Sequence, residues 1–169
     1  MVTQSRLCIG IDPGLAVTGY GLVRETSQGE LEHLDHGVIR TAADREDHER
    51  LLSLYQGLQS IVAQYQPQTC AVEKIFMQRN VKTAIRVGQG RGAALIALAG
   101  SQRSLAEYTP MEIKQAVVGY GNADKEQVQE MVKLLLGLSE IPRPDDAADA
   151  LAVAICHLHS SRQNFLAER

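Results

Sequence analysis

The chain has 169 residues, a net charge of −3 at neutral pH and 44% hydrophobic residues. This length suits one domain with a sizeable core, and the composition argues against a largely disordered chain. No apolar run approaches the roughly 18 residues that a membrane span needs. The first residues also lack the layout of a signal peptide. We therefore expect one domain over residues 1–160, a flexible tail over residues 161–169, and a cytoplasmic location.

Cys8, Cys70 and Cys156 are widely separated, and no C-x-x-C pair is present. An odd number of scattered cysteines argues against both a disulfide framework and a zinc site. His157 and His159 follow Cys156 closely, but residues two apart do not share a helical face. We expect buried, reduced thiols and structural roles for these histidines.

The first part of the chain predicts three consecutive strands. Residues 6–12 form a short apolar run that ends at the Pro13-Gly14 turn, and residues 17–24 and 31–41 are also typical of strands. Ser27-Gln28-Gly29 is a plausible hairpin turn between the second and third strands.

The rest of the chain alternates between segments with a helical pattern and segments with a strand pattern. Apolar residues three and four apart predict helices, and short apolar runs predict strands. The predicted helices cover residues 51–65, 80–100, 110–118, 124–136 and 145–159, and the predicted strands cover residues 69–75 and 104–109. The order βββ-α-β-α-β-α-α-α predicts a mixed sheet flanked by helices, a three-layer α/β/α domain.

Two predicted core strands end in an acidic residue. Asp12 follows an apolar run, and Glu73 follows Cys70-Ala71-Val72. Burying a carboxylate is costly unless it is paired or binds a cation, and Glu is a poor strand former. Asp12 could instead cap the Pro13-Gly14 turn, and Glu73 could instead pair with Lys74 or lie at a sheet edge.

Asp146 and Asp149 lie three residues apart at the start of the last predicted helix, so they share one face with Val153. Acidic residues are common in a first helical turn without any function. If all four carboxylates converge, their repulsion favours a hard divalent cation, Mg²⁺ or Mn²⁺. Two such ions would suit hydrolysis of a phosphodiester.

Residues 74–106 contain six basic residues and no acidic residue, within an acidic protein. If residues 79–90 are helical, Arg79, Lys82 and Arg86 lie on one face, close in sequence to Glu73. Such a stripe can hold a nucleic-acid backbone, although a solvated helix face is the simpler alternative. Phe76 could stack on an unpaired base or pack in the core.

Several segments together resemble the RuvC family of Holliday junction endonucleases. The resemblance runs in order from about residue 6 to residue 159. It rests on IGIDPG (Ile9–Gly14), TGYG (Thr18–Gly21), AVEKIFM (Ala71–Met77), GQGRG (Gly88–Gly92), KQAVVG (Lys114–Gly119) and DAADALA (Asp146–Ala152).

The resemblance implies an RNase H-like fold, a homodimer and Mg²⁺-dependent cutting of four-way DNA junctions. We expect two Mg²⁺ ions per active site, with Mn²⁺ as a substitute. It also implies a branch-migration motor made of RuvA and RuvB as a partner. The family's four acidic positions fall on Asp12, Glu73, Asp146 and Asp149. Its junction-contacting aromatic falls on Phe76, and two basic positions fall on Lys114 and Lys125.

The helix that contains Gly88, Gly90 and Gly92 allows close approach of another helix. The resemblance implies a dimer contact, whereas packing on the protein's own sheet is the alternative. Other activities also remain open at this point. They are a non-catalytic junction-binding module, a nuclease for RNA–DNA hybrids, and an ATP-dependent phosphotransferase, although that last class needs two lobes that 169 residues cannot hold.

Overall fold

The computed structural model describes residues 5–74, 80–100 and 103–167, with side chains described as far as residue 161. Its elements follow the predicted order. They are β1 (Arg6–Asp12), β2 (Val17–Glu25), β3 (Leu31–Arg40), α1 (Asp47–Tyr65), β4 (Thr69–Glu73), α2 (Val81–Ala99), β5 (Ser104–Tyr108), α3 (Pro110–Val118), α4 (Lys125–Leu135) and α5 (Asp145–Ala167).

The five strands form one mixed sheet in the order β3-β2-β1-β4-β5. The first three strands are antiparallel, and β4 and β5 run parallel to β1. Helices α1 and α2 cover one face, and α3, α4 and α5 cover the other. The three-layer α/β/α architecture predicted from the sequence is therefore confirmed.

Strand β1 alternates between the two cores. Ile9 and Ile11 pack with α1 and α2, whereas Cys8 packs on the opposite side with α5. Strand β4 alternates in the same way, with Val72 towards α1 and α2 and Ala71 towards α5. Since side chains in a strand alternate, Asp12 and Glu73 fall on the face that α5 covers.

The element ends differ from the sequence prediction at two helices. Helix α1 begins at Asp47 rather than near residue 51, because its first turn is polar and carries no apolar periodicity. Helix α5 continues to Ala167 rather than ending near His159. Residues 160–167 contain no Gly or Pro to stop a helix. The single domain over residues 1–160 with a flexible tail stays a prediction.

Cys8, Cys70 and Cys156 are buried and free, as expected. Burial raises the pKa of the Cys70 thiol to about 11 and that of Cys156 to about 12. Within the described ranges, no helix is both long and apolar enough to cross a membrane.

Candidate active site

Asp12 and Glu73 lie side by side at the carboxyl ends of two parallel strands. Strands β1 and β4 pair with Ile11 opposite Val72, so the next residue of each strand is one of the two acids. Their side chains are close enough to hydrogen-bond to each other. The turn after Asp12 is held by Thr18, whose buried hydroxyl donates to the Gly14 carbonyl at 2.5 Å.

Helix α5 brings the second pair of acids to the same place. A Cβ at Gly19 would overlap the Asp146 backbone, and a Cβ at Gly10 would overlap the Ala150 backbone. The two glycines of β1 and β2 therefore let α5 lie directly on the sheet. Asp146 and Asp149, in the first turns of α5, consequently reach the end of β1 where Asp12 lies.

The four acids, which we call the carboxylate cluster, interact strongly. Burial, followed by the charges of Glu73, Asp149 and Asp146 in that order, raises the pKa of Asp12 to about 8. Burial also raises the pKa of Glu73 and that of Asp149. A nearby cation strongly stabilises the ionised form of such carboxylates, because they are poorly solvated and repel each other.

Two lysines share a cavity with Glu73 and Asp149 of the cluster. The cavity, of about 200 Å³, lies between β4, α3, α4 and α5, and its lining residues are Glu73, Pro110, Ile113, Lys114, Lys125, Val128, Asp149 and Ala152. Lys114 and Lys125 each lower the pKa of Glu73, against the larger effect of burial. The two basic positions identified from the resemblance are thus brought to the acids.

Lys125 makes the most direct contact with the acids. Its Nζ lies 3.0 Å from Asp149 Oδ2 and 3.5 Å from Asp145 Oδ2. Asp145 also accepts a hydrogen bond from Arg143 at 2.5 Å. From the sequence, Asp145 is expected only to cap the start of the last helix, and the structure also places it beside Lys125.

The donor set of the cluster fits a divalent cation by its chemistry. Carboxylate oxygens are the ligands that Mg²⁺ and Mn²⁺ prefer, and a cation would offset both the burial and the mutual repulsion that raise the pKa of Asp12. Among the described residues, however, no three acidic, histidine or cysteine side chains form a ready ligand set. The Lys125 ammonium already engages Asp149, one of the four acids.

The predicted basic stripe is only partly described. Phe76 and Arg79 lie outside the described residues. Lys82 and Arg86 lie one turn apart on α2 and are exposed, and Arg86 pairs with Asp47 at 3.7 Å. Both side chains therefore reach the surface, and Arg86 would have to give up its pairing with Asp47 to contact a nucleic-acid backbone.

Two other basic residues of the acid-free stretch serve the protein itself. Arg91 pairs with Glu107 of β5 at 2.6 Å. Arg103 donates to the Pro67 carbonyl. The stretch therefore presents fewer available cations than its composition suggests.

The fold and the site are those of a class of hydrolases. A mixed sheet between two helical layers, with acids at the ends of β1 and β4 and on the last helix, is compatible with metal-dependent hydrolysis of a phosphodiester. The family model described as "Crossover junction endodeoxyribonuclease RuvC" matches residues 8–157. The chain belongs to the RuvC family of crossover junction endodeoxyribonucleases.

Individual relatives agree with this assignment. The crossover junction endodeoxyribonuclease RuvC of Caldicellulosiruptor saccharolyticus is 50% identical over 90% of this chain and 92% of its own length. The protein of the same name from Chloroflexus aurantiacus is 54% identical over 90% of this chain and 93% of its own length.

Two solved structures have a fold similar to that of this chain. Thermus thermophilus RuvC in complex with a Holliday junction substrate has a TM-score of 0.89 and 34% identity, and covers 94% of this chain and 96% of its own. The yeast mitochondrial Holliday junction resolvase Ydc2 has a TM-score of 0.68 at 14% identity, covering 99% of this chain and 88% of its own. The latter likeness concerns the fold alone.

Proposed function

We propose that this protein is a structure-selective endonuclease that resolves Holliday junctions in recombination and DNA repair. The observation that carries the proposal is the carboxylate cluster, in which burial and three neighbouring acids raise the pKa of Asp12 to about 8. A cluster of this kind is costly to maintain unless a cation or a reaction uses it. Family membership and the junction complex of the Thermus relative point to the substrate.

Asp12, Glu73, Asp146 and Asp149 would hold the metal ions, and we propose two Mg²⁺ ions, for which Mn²⁺ substitutes. When bound, such ions activate a water and stabilise the leaving oxygen of a phosphodiester. The protein itself positions the four carboxylates on two strands and one helix.

Basic residues around the cluster would hold the DNA. Lys114 and Lys125 line the cavity beside Glu73 and Asp149, where they would contact the phosphate to be cut. Lys82 and Arg86 on α2 are exposed and would contact phosphates further along the DNA strand. Such contacts hold the backbone without distinguishing one base sequence from another. Phe76 and Arg79 remain predicted DNA contacts on the basis of the resemblance.

A homodimer is the proposed form of the active protein. Helix α2 presents an apolar stripe at positions 81, 85, 88, 92 and 96, with Val81 73%, Ile85 57% and Ile96 66% exposed. A Cβ at Gly88 or at Gly92 would meet no described atom within 4 Å. A second copy seated on this stripe would cover it, and two symmetric sites suit a junction with two equivalent strands. A RuvA–RuvB motor and a cytoplasmic location remain predictions from the resemblance and the composition.

The decisive experiment compares the wild-type protein with the Asp12→Asn and Glu73→Gln variants on a four-way junction, an RNA–DNA hybrid and plain duplex DNA. We expect Mg²⁺-dependent, paired nicks on the junction from the wild type alone, with junction binding retained in both variants. Asp44→Asn, at an exposed acid in the loop before α1, is the matched control and should cut normally.

Full cutting by either active-site variant would contradict the proposed site. Binding of the junction without nicks in Mg²⁺ or Mn²⁺ would identify a non-catalytic binding module instead. Preference for the hybrid would identify a nuclease of different specificity.

A further inference from the structure

The edge strand β3 contains a β-bulge that changes the direction of two histidines. The register between β2 and β3 pairs Leu22 with Asp35 and Val23 with His33, so Leu34 is left without an opposite residue. In a regular strand, residues three apart point to opposite faces. The bulge adds one residue and thereby turns His33 and His36 towards the same face.

Both histidines lie on the face that α5 covers. His33 is opposite Val23, which belongs to the α5 core, and His36 is opposite Gly21, which packs directly against Leu151 of α5. Both side chains are half-buried, so solvent reaches them at the edge of the sheet.

The two imidazole rings point their nitrogens at each other. His33 Nε2 lies 2.7 Å from His36 Nδ1, with ring centroids 4.8 Å apart and ring planes inclined by 61°. Asp35, between them in sequence, is turned to the other face, where it accepts a hydrogen bond from the Tyr65 hydroxyl at 2.7 Å. The two rings therefore face one another without a carboxylate between them.

We propose that His33 and His36, the histidine pair, form a binding site for a divalent transition-metal ion such as Zn²⁺ or Ni²⁺, separate from the carboxylate cluster. Neutral imidazole is a preferred ligand of these ions, whereas Mg²⁺ prefers oxygen. Bonds of about 2.0–2.1 Å in a tetrahedral arrangement place two nitrogens roughly 3.4 Å apart. The rings must therefore separate by less than about 1 Å, which small side-chain rotations supply.

The chemistry of the pair is consistent with metal binding. Burial and the neighbouring His36 lower the pKa of His33, which favours its neutral form at neutral pH. In the present contact one ring donates its N–H to the nitrogen of the other. On metal binding that proton moves to the other nitrogen of the donor ring, so both facing nitrogens offer a lone pair to the ion. Within the described ranges, no third histidine, cysteine or carboxylate joins the pair. Water molecules would therefore complete the coordination, and the ion would remain exchangeable.

Calorimetric titration with Ni²⁺, in the presence of excess Mg²⁺ to occupy the carboxylate cluster, tests the proposal. The double variant His33→Gln/His36→Gln is expected to lose one bound Ni²⁺ per chain relative to the wild type. His48→Gln, at an exposed and isolated histidine of α1, is the matched control and should bind as the wild type does. Equal Ni²⁺ binding by the wild type and the double variant, or no binding by the wild type, would overturn the proposal.

A second measurement avoids dependence on the variant's folding. In NMR spectra of the wild type, paramagnetic Ni²⁺ should broaden the imidazole resonances of His33 and His36 before those of the buried His157. Broadening confined to other histidines would contradict the assignment. Junction cutting with Mg²⁺ should persist in the folded double variant, so the histidine pair and the proposed nuclease site can fail separately.

Discussion

The Nζ atom of Lys125 lies 3.0 Å from Oδ2 of Asp149, which joins α4 to α5 at the carboxylate cluster. Burial raises the pKa of Asp149, and the Lys125 charge opposes that rise. Lys125 therefore neutralises part of the cluster's charge. A divalent cation that binds Asp149 must compete with this ammonium group or share the carboxylate with it.

Replacing Lys125 with methionine should tighten the binding of Mn²⁺ to the DNA-free protein, because the competing charge is removed. A partly exposed ion pair contributes up to about 1 kcal/mol, which corresponds to an increase of roughly two- to fivefold in affinity. The free Mn²⁺ signal in electron paramagnetic resonance titrations measures this change directly.

Lys133→Met provides the control for that titration. Lys133 also belongs to α4, but it pairs with Glu130 at 3.6 Å, on the same helix. Its replacement should leave Mn²⁺ binding unchanged. Unchanged or weaker binding in Lys125→Met would show that Lys125 does not compete with the cation.

The raised pKa of Asp12 predicts an unusual dependence of stability on pH. Between the ordinary value of 3.8 and about 8, the folded protein keeps a proton on Asp12 that the unfolded chain releases. The contribution of Asp12 to the free energy of unfolding should therefore fall as pH rises through this window. Urea unfolding of the wild type and of Asp12→Asn, with a chelator present, gives the free energy of unfolding of each protein at each pH. The difference between the two proteins measures the contribution of Asp12.

Added Mg²⁺ should reverse this effect, since a cation favours the ionised carboxylates. Mg²⁺ is therefore expected to stabilise the wild type more at pH 8 than at pH 5 and to stabilise Asp12→Asn less. A difference between wild type and variant that does not change with pH would show that Asp12 has an ordinary pKa.

Because of His157, we expect stability to change with pH in the opposite direction over a lower pH range. Its ring is buried, with Nε2 2.6 Å from the Thr69 hydroxyl and Nδ1 2.9 Å from the Tyr108 hydroxyl. Burial lowers the pKa of His157 to about 4, so the unfolded chain takes up a proton near pH 6.5 that the folded protein resists. Stability should thus be lost as pH falls from about 6.5 to about 4.

The variant His157→Gln should be less stable at pH 7, because it loses this pair of hydrogen bonds, but its stability should change less between pH 6.5 and pH 4. Thermal unfolding across this range provides the measurement. His48→Gln should retain the wild-type slope, and an identical slope in all three proteins would refute the assignment to His157.

Replacing Gly92 with alanine distinguishes a free α2 surface from one covered by a second copy. In the isolated chain, the added methyl group meets no described atom within 4 Å, so helix propensity alone predicts about 1 kcal/mol of stabilisation. If the stripe on α2 packs against a partner, the methyl group should instead weaken the dimer.

Sedimentation velocity at several protein concentrations measures the fraction of dimer directly. Gly90→Ala serves as the comparison on the same helix, since its methyl group would overlap the backbone of Gly14 and should destabilise the monomer itself. A Gly92→Ala protein that is more stable and dimerises as the wild type does would place the dimer contact elsewhere.

The element order and the two strand-end acids followed from the sequence because they depend on local patterns. A buried strand is recognisable by its apolar run, so Asp12 and Glu73 stood out as costly exceptions within their own segments. Asp146 and Asp149 were less distinct, since acids in a first helical turn are common. Their place above β1 depends on the close approach that Gly10 and Gly19 allow.

Other features depend on contacts between segments that are distant in the chain, and local patterns do not contain that information. The sequence counts Arg91 among the available cations, but packing of α2 against β5 pairs it with Glu107. The histidine pair requires the bulge at Leu34, because unbroken strand alternation would separate His33 from His36. Local chemistry thus determines which segments form strands and helices, whereas register and helix placement determine which charges meet.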